Sequence, residues 1–239
     1  MAFETRQRGY DVSVGRSAAE VDAGLRAYML SVYNYMASAL ALTGIVAMVV
    51  STNDALMSAI FGSGLGFVVM LAPIGLVLFL SMRIHKMSFG AAQTTFWIYA
   101  ALMGLSLSSI FLVYTGESIA RTFFIAASTF GAMSLYGYTT KKDLSGWGSF
   151  LFMGLIGIIL ASVVNIFLGS GMLQFVISAA GVLIFTGLTA YDTQRIKESY
   201  FVHDDQAVAG KKAIFGALQL YLDFINLFIM LLHFFGNRE

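Results

Sequence analysis

Apolar residues in this chain come in long runs broken by short polar stretches, and neither strand-like alternation nor a narrow amphipathic stripe dominates. A helix rises about 1.5 Å per residue, so about 20 mostly apolar residues cross a hydrocarbon core. Seven runs reach that length, at about 28–50, 64–82, 91–114, 118–139, 148–169, 173–195 and 212–235, and each is expected to be a transmembrane helix. The longest break, before the last run, has about sixteen residues, which leaves no room for a separate soluble domain. The expectation is therefore an all-α integral membrane protein, with a polar N-terminal tail over 1–27 and one seven-helix domain over 28–239.

Basic residues orient these runs, because Lys and Arg accumulate on the cytosolic side. With a cytosolic N-terminus, Arg6, Arg8, Arg16, Arg26, Arg83, Lys86, Lys141, Lys142, Arg195, Lys197, Lys211 and Lys212 lie inside, and only Arg121 and Arg238 lie outside. That imbalance predicts an inside N-terminus and, with seven spans, an outside C-terminus. The first apolar run is too long for a secretory leader, so the tail is expected to be retained. Pro73, inside the second run, is expected to kink that helix.

Composition agrees with the pattern: of 239 residues, 58% are hydrophobic and 11% charged, too little charge to cover a soluble globule. With 14 basic against 13 acidic residues there is no footprint for nucleic acid, and with no cysteine there is neither disulfide nor thiol chemistry. His85, His203 and His233 sit in different segments without metal-ligand spacing, and His203-Asp204-Asp205 reads as a solvated loop. No nucleophile–base arrangement or phosphate loop is visible, so the chain is expected not to be an enzyme.

One acid stands out. Asp223 lies near the middle of the last run, and an ionised carboxylate in hydrocarbon costs several kcal/mol unless it faces the interior, finds a partner or holds a proton. At helical spacing it shares a face with Gly216, Gln219, Asn226, Met230 and His233. Asp192 falls near the inner end of the sixth run, on one face with Thr189 and Thr186, and Arg83 closes the second run at the same end. Two acids and an arginine near one membrane face would make a gate in which the carboxyls share a proton and titrate together. Counted from the expected helix ends, Asp223 lies roughly 13–16 Å deep and Asp192 about 6 Å, a gap that tilt or a longer sixth helix must close.

The stretch Ala217-Leu218-Gln219-Leu220-Tyr221-Leu222-Asp223-Phe224-Ile225-Asn226-Leu227-Phe228 resembles the last-helix signature of the Bax inhibitor-1, or transmembrane Bax inhibitor motif, family. Ala190-Tyr191-Asp192-Thr193-Gln194, Lys141-Lys142-Asp143-Leu144-Ser145 and Asn165-Ile166-Phe167 agree with it, in register from about Ala23 to Phe235. The resemblance implies seven helices with the last one central, and a pH-sensitive calcium leak without a cofactor. In that scheme Asp192 and Asp223 form the proton-sharing pair and tentative calcium ligands, Arg83 latches them, and Gln219, Asn226 and Thr189 supply the supporting polar face. The C-terminus, Phe235-Gly236-Asn237-Arg238-Glu239, lacks the basic tail of the eukaryotic cell-death suppressors, and the composition looks bacterial, implying a multi-pass inner-membrane protein. Bacterial relatives of the YccA kind imply an alternative, a non-enzymatic modulator or substrate of the membrane-anchored FtsH protease. The expected partners are thus the lipid bilayer, calcium ions and protons and, on the alternative, the FtsH complex.

Overall fold

The computed structural model describes residues 18–237, apart from the side chains of Ala18, Ala19 and His85. Eight α-helices follow in order: α1 (Ala18–Ser51), α2 (Asp54–Phe61), α3 (Leu65–Arg83), α4 (Phe89–Leu107), α5 (Gly116–Thr139), α6 (Ser145–Leu168), α7 (Gly171–Glu198) and α8 (Gln206–Phe235). All but α2 are long and apolar enough to cross a membrane. There is no strand among the described residues.

Helix ends lie where local chemistry puts them. The side chains of Asn53, Ser88, Thr115, Ser170 and Asp205 each accept a backbone N–H three residues on, capping α2, α4, α5, α7 and α8. Gly169 ends α6 in the left-handed region, φ 59°, where a side chain would be strained. Polar caps outside the apolar runs start α4, α5, α7 and α8 ahead of the expected spans, whereas α4 gives way at Leu107 to a 3-10 segment over Ser108–Leu112, short of the expected end at 114. α1 begins at Ala18, so only residues 1–17 of the expected tail, which lie outside the described residues, precede it. α8 begins at Gln206, which shortens the expected sixteen-residue break to 199–205. The first break holds the short helix α2, and α3 runs through Pro73 without interruption.

α8 is the axis of the bundle. About 67% of its most apolar window is buried, against 11–33% for the other spans, and α1, α4, α5 and α7 surround it. Phe123 and Phe130 of α5 pack edge-on against Phe224, and Tyr99 of α4 against Tyr221. α3 packs on α4, and α6 packs on α7. The outer surface is apolar, as Phe150, Met153 and Phe167 of α6 show.

Directed hydroxyl chains stitch the helices together. Thr43 donates its only proton to Ala100 O at 2.8 Å, so the Tyr221 hydroxyl donates to Thr43 at 2.7 Å and joins α8 to α1 and α4. Likewise Thr193 donates to Thr189 O, so Ser134 donates to Thr193 at 3.0 Å and Tyr33 donates to Ser134 at 2.7 Å, joining α1, α5 and α7. In hydrocarbon every such proton needs an acceptor inside the protein. α5 also meets α7 backbone to backbone at Gly137, where a Cβ would collide with Ala190 O.

Candidate functional site

Asp223 is 5% exposed, on the face of α8 turned to α7. Close packing sets the register of this antiparallel pair: Gly216 abuts Ile196, and Gly181 abuts Met230. That register puts Asp223 level with Thr189, about 4.5 Å along the axis from Asp192. Side chains on a helix lean toward its N-terminus, so in an antiparallel pair these two carboxyls lean toward each other. The offset closes, and the Asp192 and Asp223 carboxyls interact directly. The larger depth difference expected from the apolar runs came from taking the two inner helix ends as level, whereas in this register α8 begins about 12 Å beyond the end of α7.

Both acids line a cavity of about 510 Å³ between α6, α7 and α8. Tyr191 and Arg195 of α7, and Gln219 and Asn226 of α8, share its wall. Gly148 admits the Tyr191 ring on the α6 side, 2.6 Å from where a Cβ would stand. Asp223 Oδ2 is enclosed and finds no hydrogen-bond partner among the described residues. Asn226 spends its amide nitrogen on Leu222 O at 2.8 Å, leaving its oxygen for the cavity. Such walls offer oxygen ligands of the kind hard cations take, although no group of three or more acidic or histidine side chains gathers among the described residues.

The remaining candidates fall elsewhere. Arg83 is exposed at the end of α3, a helix packed on α4, and does not line the cavity. The guanidinium that does is Arg195, one turn beyond Asp192 and attracting its carboxyl. Its spacing from Asp192 was visible in the sequence, but it counted there only toward topology. Thr189 is fully buried and donates to Phe185 O within its own helix at 2.8 Å, away from the cavity.

The other quoted motifs hold α6 at its two ends. Gln194 donates to Lys142 O and accepts from Leu144 N, both at 2.8 Å, which straps the α5–α6 loop onto α7 two residues after Asp192. In that loop the backbone N–H of Ser145 donates to Asp143 and holds its carboxyl below the usual range. Asn165 accepts from Ser170 N at 3.0 Å and donates to Gln174 Oε1 at 3.2 Å, closing the α6–α7 turn, and Gln174 continues to His233 Nδ1. In the stretch read as a solvated loop, Asp204 instead pairs with Lys212 at 2.6 Å and Asp205 caps α8.

Comparison with known proteins places this arrangement. Residues 25–239 match the family described as Inhibitor of apoptosis-promoting Bax1. The chain belongs to the Bax inhibitor family. An uncharacterized protein of Rickettsia prowazekii, RP147, is 52% identical over 91% of this chain and 92% of its own length. The inner membrane protein YbhL of Escherichia coli is 51% identical over 91% of this chain and 94% of its own. An uncharacterized protein of Caulobacter vibrioides is 48% identical over 97% and 98%.

Proposed function

We propose that this family member is a pH-sensitive calcium leak of the bacterial inner membrane, with no chemical reaction of its own. The observation that carries the reading is the meeting of Asp192 and Asp223 across α7 and α8 in one cavity, with an enclosed Asp223 oxygen unpartnered. Two carboxylates in contact repel, and removing both from water is costly, so they share a proton at rest. The shared proton holds α7 and α8 together and leaves no net site for a cation. Its loss separates the acids and exposes oxygens, joined by Gln219 and Asn226, to a hard cation. Two carboxylates without a third acid suit an ion that must leave again. The inner-membrane placement rests on the seven spans and on the name of the E. coli relative.

The test is calcium entry into liposomes holding the purified full-length protein, from about pH 5 to about pH 8, for wild type and Asp223→Asn side by side. Flux rising with pH in the wild type and losing that dependence in the variant is the expected result. Absence of flux at every pH from folded protein refutes the leak and moves the reading to a modulator or substrate of the FtsH protease.

A further inference from the structure

We infer that the cleft between α1 and α5 holds one anionic phospholipid, its phosphate on Arg26 and an acyl chain against Phe130 and Gly131. α1 and α5 both pack around α8, yet between them a groove of about 420 Å³ stays open, lined by Arg26, Tyr33, Phe130, Gly131, Ser134 and Tyr138 among others. Its rims, Leu30 and Leu135, are 53% and 63% exposed, so it opens sideways into the bilayer and not into a protein interior. The two helices run antiparallel, and the lined stretch is about 12 Å long, enough for the upper part of an acyl chain.

Small residues in α5 serve two purposes, and the difference marks the groove. At Gly137 a Cβ would strike the α7 backbone, so smallness there is needed for packing. At Gly131 a Cβ would meet nothing within 4 Å, so smallness there keeps the groove empty of protein. Deep in the groove, Tyr33 donates its hydroxyl proton to Ser134 and Ser134 donates its own to Thr193, so neither hydroxyl turns a free proton toward a hydrocarbon chain.

Charge selects the headgroup. Arg26 forms no ion pair among the described residues, not even with exposed Asp22 one turn earlier, and no acid lines the groove. A second cation stands at the same end: Lys197 donates to Tyr138 O at 2.9 Å and lies 5.2 Å over the Tyr138 ring. A guanidinium at the end of an interhelical groove matches a lipid phosphate with a net negative headgroup, and a zwitterionic headgroup gains less from it.

Native mass spectrometry of the full-length protein, released from detergent with added phosphatidylglycerol or phosphatidylethanolamine, tests this. Wild type is expected to retain phosphatidylglycerol preferentially. Arg26→Gln should lower that retention about five- to tenfold, toward the phosphatidylethanolamine level. Gly131→Leu, which fills the groove without touching Arg26, should lower retention of both lipids while thermal unfolding in detergent stays unchanged. Equal retention of the two lipids by wild type, or phosphatidylglycerol retention untouched by both substitutions, overturns the site.

Discussion

α6 and α8 are both continuous apolar helices, and α6 has the higher mean hydropathy, yet α6 lies at the rim with 11% of its span buried and α8 at the centre with 67%. In water the more apolar helix would be the one buried. In a bilayer, lipid tails satisfy an apolar surface as well as a protein core does, so burial follows small and polar groups that lipid cannot satisfy. α8 carries Gly216, Gln219, Tyr221, Asp223 and Asn226, while much of α6 presents Phe, Met, Ile and Val to lipid. The difference teaches that polarity decides the centre of this bundle and hydrophobicity decides its rim.

Glycine substitutions test that difference hardest. Gly216 of α8 lies 3.0 Å, as a would-be Cβ, from Ile196, whereas Gly157 of α6 meets nothing within 4 Å. Gly216→Leu should cost about 2 kcal/mol by overpacking, and Gly157→Leu less than about 0.5 kcal/mol, read as thermal unfolding in detergent. Equal losses would mean that α6 is packed against something as tightly as α8 is.

The next effect lies where α6 is tied down. Gln194→Leu leaves Lys142 O and Leu144 N without their partner and should cost about 1 kcal/mol. Hydrogen exchange should then speed up in the first turns of α6 and leave α8 unchanged. Uniform acceleration would show that the strap supports the whole bundle.

Within the cavity, the proposed gate distinguishes two arginines. Arg195→Gln removes the cation beside Asp192 at the cavity wall, so the pH profile of calcium flux should change. Arg83→Gln, at an exposed site off the cavity, should leave the flux profile in place. The reverse outcome would return the latch to α3.

The smallest effect is a pH dependence at the start of α6. Asp143 is more acidic in the folded protein than in the unfolded chain, because Ser145 N–H donates to its carboxylate. Its contribution is therefore complete above the unfolded value of about 4 and fades as pH falls through the lower folded value. Asp143→Asn should remove that small acid-range dependence from the exchange rates of Ser145 and Gly146, and leave behaviour at neutral pH nearly unchanged.

Much of this protein is written in local sequence. Seven apolar runs of bilayer length fix seven spans, and the Asp223 stretch with its flanking motifs fixes the family, because desolvating a peptide group or a carboxylate is a cost each residue carries wherever it goes. Helix ends were less legible: the caps at Ser88, Ser170 and Asp205 sit outside the apolar runs and extend helices past them. The meeting of Asp192 with Asp223, the presence of Arg195 at their cavity, Gln194 reaching back 52 residues to Lys142, and the groove beside Arg26 were decided only by tertiary structure. Hydropathy sets that a helix crosses the membrane but leaves its rotation and register free. Those are set by which small residues let a neighbour approach, a backbone at Gly137 and side chains at Gly181 and Gly216, and the approach exists only when both helices are in place.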